Sequence, residues 1–259
     1  MTIKLEKKSS SSVNESTINS IAEVENANVS KSTALSANSS YQIPVLCYHT
    51  IVTTTTGTYQ TGLTSFKEQM AYLYSNNYTT LSLEQFRKII NSETTVPSKP
   101  ILLTFDDCYS DFYSVVYPIL KKYGMKATQF VVSNWIGGSG RMTKSQINEI
   151  AQNNIDVQNH TDNHSYLTQQ TYAQQYAAIN NAAVAIKSLT GKSVTALAYP
   201  YGAYDNNSLE ALAKLSYTMG FTVSSGLCTS SNTKYKLPRI CMIDTDTLTT
   251  FKRKITNGY

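Results

Sequence analysis

The sequence is short of the residues on which most redox and cofactor chemistry depends: one Trp, three His and four Cys among 259 residues. The cysteines, at 47, 108, 228 and 241, include no CxxC pair. That spacing argues against a disulfide framework or a thiolate metal site. Cys47 and Cys108 look like strand-end free thiols, and the remaining two leave room for a single Cys228–Cys241 bridge. Charge is scarce too, at 15% Asp, Glu, Lys and Arg with a net +5. The one dense basic cluster, Lys252–Arg253–Lys254, reads as a solvated helix face. Nothing resembles a nucleic-acid-binding stripe, so no nucleic-acid partner is expected. No run of about eighteen apolar residues is present, so no integral membrane segment is expected. No basic stretch followed by an apolar one opens the chain, so no signal peptide is legible and the compartment is read from function.

What is abundant is uncharged polarity. Apolar residues make up 41% and can supply a sizeable core, while the polar remainder is rich in Ser, Thr, Asn, Gln and Tyr. Nineteen tyrosines suit stacking and hydrogen bonding with sugars, although Tyr serves equally as ordinary core and surface filler. Residues 1–40 are rich in Ser, Asn and Thr and contain no aromatic residue. Such a segment buries too little apolar surface to offset its conformational entropy, and it is read as a flexible tether.

From Tyr41 to residue 259 the texture changes to β-branched apolar runs alternating with stretches of helical period. This is the pattern of an α/β fold with a mainly parallel sheet. Strands are expected at 43–49, 101–105, 126–132, 155–159, 194–200, 220–224 and 236–240, about seven in all. Helices are expected at 65–76 behind a Ser65…Glu68 capping box, and at 82–90 behind a Ser82…Gln85 box. Others are expected over 109–124, from Thr143, over 171–190, over 207–216 and over 246–256. Gly124 and Gly191 would close two of them. A distorted barrel and an open doubly wound sheet both fit this order.

The chemistry concentrates in two stretches. ILLTFDD ends a buried strand in two adjacent carboxylates, Asp106 and Asp107, and in parallel βα folds function gathers at the C-terminal ends of strands. By itself, such a pair reads more readily as a helix cap. The second stretch, NHTDNH, places His160 and His164 four positions apart just after another buried strand, a spacing that brings two imidazoles together around a divalent ion. Standing alone it reads equally as two surface histidines; coupled to the strand-end carboxylates, it favours a metal site.

TFDD, HTDNH and AYPYG (198–202), in that order, resemble the polysaccharide deacetylase family, the family-4 carbohydrate esterases with the NodB homology domain. The resemblance runs from about Pro44 to Ile240. It implies a distorted (β/α) barrel of about seven parallel strands and hydrolysis of acetyl groups from glycans with one divalent metal. It also implies Asp107, His160 and His164 as metal ligands, Asp106 as general base, and the backbone N–H of Tyr201 as an oxyanion donor. Zinc suits two imidazoles and a carboxylate, as do cobalt, nickel and iron.

Three departures from the family pattern stand out. Cys108 replaces the usual Gly, so the local turn must avoid a positive φ or accept strain. The Arg that opens the third motif is missing, and Arg239 is the candidate substitute for holding Asp106 ionised. No histidine follows His164, leaving His49 to protonate the leaving group. An acid histidine on the first strand is similar to the circularly shifted branch that includes the poly-β-1,6-N-acetylglucosamine deacetylases. The expected function is therefore removal of N-acetyl groups from N-acetylglucosamine units of a cell-wall or biofilm polysaccharide. The alternatives are an acetylxylan-type O-esterase and a catalytically degenerate surface glycan-binding protein. The expected partner is an acetylated polysaccharide, the expected setting extracellular or cell-surface, and the expected state a monomer.

Overall fold

A computed structural model describes residues 40–259. The tether expected over residues 1–40 lies, Ser40 apart, outside the described residues.

Seven strands form the main path of one parallel sheet: β1 Val45–Tyr48, β2 Pro100–Phe105, β3 Ala127–Val131, β4 Ile155–Asn159, β5 Ala196–Ala198, β6 Met219–Phe221 and β7 Ile240–Cys241, in the order β6-β5-β4-β3-β2-β1-β7. The two-residue strand Thr79–Thr80 pairs off that path on the start of β2. The sheet curls into a half-barrel, the architecture implied by the family resemblance. Alternation along each strand divides two cores. Val45, Leu102, Phe130, Ala198 and Phe221 face the barrel interior, where they pack on one another. Their neighbours Leu46, Tyr48, Leu103 and Phe105 face outward and pack on the helix side chains Phe66, Met70 and Phe112. β1 (VLCY) and β2 (PILLTF) therefore read as nearly continuous apolar runs, while β3 (ATQFV) and β4 (IDVQN) also bury polar side chains.

The two ends of the curled sheet, β6 and β7, are bridged by the segment before β7. Leu237 N–H donates to Gly220 O at 2.9 Å, Thr222 N–H to Leu237 O at 2.9 Å, and Arg239 N–H to Ser224 O at 3.1 Å. This crossing explains why the strand expected at 236–240 begins only at Ile240: its first residues are spent spanning the gap. It also carries Arg239 into the interior. Gly220 is required there, because a Cβ would meet the Tyr199 hydroxyl at 2.6 Å and the Tyr235 carbonyl at 2.8 Å.

Helix starts follow the capping chemistry in most places. Ser82–Gln85 and Thr143–Gln146 form complete capping boxes, as does Thr171–Gln174 at the head of Tyr172–Thr190, which ends at left-handed Gly191. The Ser65…Glu68 box does not form. The short strand Gln60–Gly62 runs directly into the helix, which starts at Leu63 with Gly62 as a cap without a side chain. The helix expected over 109–124 opens with a wide turn, Phe112–Val116, in which Tyr117 N–H reaches Phe112 O, before a short regular helix, Tyr117–Lys122. Pro118 lacks the N–H that a regular turn would use there.

Candidate active site

Strand ends deliver every sequence-predicted residue to one cavity of about 570 Å³ on the C-terminal side of the sheet. His49 follows β1, Asp106 and Asp107 follow β2, and His160 follows β4 with His164 in the loop beyond. Tyr201 follows β5, and Arg239 precedes β7. Tyr59, Tyr109, Tyr166 and Cys241 complete much of the wall.

Asp107, His160 and His164 converge. The Nε2 atoms of both histidines lie 3.5 Å from Asp107 Oδ1. His160 Nδ1 is 2.7 Å from the Ala198 carbonyl, which can only accept, so Nδ1 carries the proton and the Nε2 lone pair faces the carboxylate. Among the described residues no donor reaches the buried Asp107 Oδ1. Two imidazole nitrogens and a buried carboxylate oxygen thus crowd a common space with the carboxylate oxygen unsatisfied, which is unfavourable unless a proton or a cation sits between them. The donor set of two imidazoles and a carboxylate fits one divalent ion.

Electrostatics agree with that reading. Burial, followed by the neighbouring Asp106, pushes the Asp107 carboxyl up to about 6. Burial pulls the His160 imidazole down to about 3 and lowers that of His164 as well, so both are neutral, as a metal ligand requires.

The backbone under Asp107 is strained. Asp107 (φ 72°) and Cys108 (φ 50°) are consecutive non-glycine residues in the left-handed region, each costing about 1–3 kcal/mol. The Cys108 position therefore accepts strain and does not avoid it. The turn ends β2 abruptly and lays the Asp107 carboxylate beside the histidines.

Asp106 is held differently. It is buried, and Arg239 grips it with two bonds, Nη1 to Oδ1 at 2.8 Å and Nη2 to Oδ2 at 2.7 Å. The Arg239 fork is fixed in turn by Thr104 Oγ1 at 3.2 Å and the Thr222 carbonyl at 2.9 Å. Burial pushes the Asp106 carboxyl up, but Arg239 and then His160 more than offset it, holding the group well below the usual carboxylate range. The Cys47 thiol donates to Asp106 Oδ2 at 3.5 Å.

His49 is half-buried, and one of its ring nitrogens, an Asp106 oxygen and Cys47 Sγ all lie within 4.8 Å of one another. Its ring packs 5.3 Å from that of Tyr59. Pro200–Gly202 forms a single tight turn in which Tyr201 is left-handed (φ 60°). Gly202 (φ 69°) has no room for a side chain, since a Cβ would meet Val223 at 2.5 Å. The Tyr201 ring stacks on Tyr166 at 3.8 Å and meets the His164 ring edge-on at 4.6 Å.

Sequence reasoning did not single out Thr104, Cys47, Tyr166, Trp135 or Arg141. Thr104 and Cys47 had a signal, because they share the inward face of their strands with Asp106 and His49 by two-residue alternation. The other three had none, since tertiary contact alone brings them to the site. The Cys228–Cys241 bridge for which the spacing left room does not form: all four cysteines are free thiols, and Cys241 stands directly opposite Cys47 on β1. Cys228 pairs instead with Ile43, four residues from Cys47 along the chain, or roughly 13 Å of strand.

Comparison with known proteins agrees with this geometry. The profile described as "Polysaccharide deacetylase" matches residues 93–220. That span contains Asp106, Asp107, His160, His164 and Tyr201 and leaves out His49 and Arg239. The chain is 32% identical over 199 residues to YxkH of Bacillus subtilis, assigned by name to the polysaccharide deacetylases, covering 77% of this chain and 71% of the relative. It is 27% identical over 189 residues to the poly-β-1,6-N-acetyl-D-glucosamine N-deacetylase of Staphylococcus epidermidis, covering 68% of this chain and 65% of that protein's length. Among solved structures, the Streptococcus pyogenes deacetylase PplD in complex with acetate superposes with a TM-score of 0.80 at 28% identity, over 84% of this chain and 99% of PplD. A shared fold and 32% identity over most of both chains thus lead to one conclusion: this chain belongs to the polysaccharide deacetylase family.

Proposed function

We propose that the protein is a metal-dependent N-deacetylase acting on N-acetylglucosamine units of a cell-wall or biofilm polysaccharide outside the cell. The observation that carries the reading is the buried Asp107–His160–His164 trio beside an Arg239-clamped Asp106. The name of the S. epidermidis relative supports the substrate class.

Asp107, His160 and His164 would hold one divalent ion, zinc first. When bound, such an ion polarises the acetyl carbonyl and lowers the pKa of a coordinated water. Asp106, kept ionised by Arg239, accepts the proton of the water that adds to the carbonyl carbon. The left-handed turn at Tyr201 presents its backbone N–H as a donor to the oxyanion that results. As the C–N bond breaks, His49 protonates the departing amine, and acetate and a free glucosamine unit remain. The exposed Tyr59 and the stacked Tyr166–Tyr201 pair line the cavity and offer aromatic faces to neighbouring sugars.

The test is acetate release from a panel of β-1,6-linked N-acetylglucosamine oligomers, chitooligosaccharides, peptidoglycan and acetylated xylan, with added zinc. Release from the N-acetylglucosamine polymers is expected. Release from xylan alone would make the protein an O-esterase, and release from none would make it a glycan-binding module.

A further inference from the structure

We propose that Arg141, outside the ligand set, is a positioning residue that holds Asp107 in its metal-binding geometry. The inference rests on the metal-site reading above. Arg141 Nη1 donates to the Asp107 carbonyl at 2.8 Å. Its guanidinium lies over two aromatic rings, 3.9 Å from the centroid of Tyr109 and 4.2 Å from that of Trp135. Both contacts fix the flat fork, so it meets the carbonyl with little freedom left to lose. The ring of Trp135 lies in turn 5.2 Å from that of His164. One side chain thus touches the backbone of one ligand and the aromatic neighbour of another.

The backbone shows why such a clamp is needed. Asp107 and Cys108 occupy consecutive left-handed conformations, which Asp tolerates better than Cys but which still cost both residues, and such conformations persist only where the surroundings over-determine them. The segment carrying Arg141 supplies that constraint from behind. Met142 N–H donates to Cys108 O and Ser110 N–H to Gly140 O, each at 2.9 Å, and Tyr109 pairs with Arg141 as an antiparallel bridge. These bonds hold Cys108 and Ser110. The Arg141 side chain holds the Asp107 peptide itself, whose rotation would carry the carboxylate away from the histidines. Residues that orient metal ligands typically contribute about 10–100-fold to metal affinity.

The experiment measures zinc affinity of metal-free wild type, Arg141→Ala and Arg141→Lys by competition with a chromophoric chelator, alongside thermal melts and acetate release against zinc concentration. Wild type should take up one equivalent. Arg141→Ala should bind about 10–100-fold more weakly, and its lost turnover should return as zinc is raised, a rescue that general misfolding would not permit. Arg141→Lys keeps a donor and the charge but not the flat stack, so it should fall between the two and fold even if the alanine variant does not. Wild-type zinc affinity in a folded Arg141→Ala, or in Arg141→Lys where the alanine variant does not fold, or a loss of turnover that zinc does not restore, overturns the inference while leaving the metal site standing. A wild type that binds no zinc overturns both.

Discussion

Replacing Arg239 by Ala would leave Asp106 buried without its guanidinium partner. Arg239 and Asp106 are 0% and 2% exposed at their side chains and share two charge-assisted bonds of 2.7 and 2.8 Å. Water cannot take over either bond at that depth. Removing one partner of such a pair costs about 3–5 kcal/mol. At 1.36 kcal/mol per pKa unit, this corresponds to a rise of about 2–4 units in the Asp106 pKa. The sign follows from linkage. In wild type the depressed pKa of Asp106 contributes stability that is complete above the unfolded value of about 3.9 and is lost as pH falls toward the folded value. In the variant the folded pKa rises by those units, so most or all of that contribution is gone at neutral pH, and the loss relative to wild type shrinks as acid protonates the carboxyl. Urea denaturation at pH 7 and pH 4.5 reads the stability, and the pH dependence of kcat/KM reads the base. The acidic limb should move up by about two units or more. An unmoved limb together with a stability loss under about 1 kcal/mol, the scale of an exposed pair, would refute the argument.

His49→Ala should cut turnover by about 10²–10⁴-fold while leaving metal affinity unchanged; full activity in that variant would remove His49 from the proton path. Dialysis against a chelator should abolish acetate release, and added zinc should restore it. Because the Asp107 carboxyl is pushed up to about 6 by burial and by Asp106, a proton competes with the ion below that pH. Metal affinity should fall by about tenfold per pH unit under pH 6 and level off above it, whereas a flat profile between pH 4 and 8 would contradict the ligand assignment. Alkylation of the denatured, unreduced protein should label four thiols, and mass spectrometry showing two would indicate a bridge absent from this structure.

Much of the fold was written in local pattern. The apolar run ILLTF ending in two carboxylates marks β2, because a strand buried on both faces is largely apolar and turns polar where it leaves the sheet, whereas β4, IDVQN, is marked by its short β-branched pattern and the imidazoles that follow it. Capping boxes at Ser82 and Thr143 mark helix starts because they involve only four consecutive residues. The Ser65 box failed for the converse reason: the same local signal yields when a strand feeds the chain into the helix two residues earlier.

The sequence by itself determined the chemical inventory: two carboxylates at a strand end, two histidines four apart, and one histidine ahead of them. It also pointed to Arg239 as partner to Asp106. Only the tertiary structure decided how that arginine arrives, by a chain segment bridging β6 and β7 across 133 residues of separation from Asp106. Tertiary structure likewise decided that Cys241 faces Cys47 and not Cys228, and that Arg141 backs the strained Asp107 turn. These contacts join residues with no common local pattern. Their energy depends on burial and on distances set by the closing of the sheet, neither of which spacing along the chain encodes.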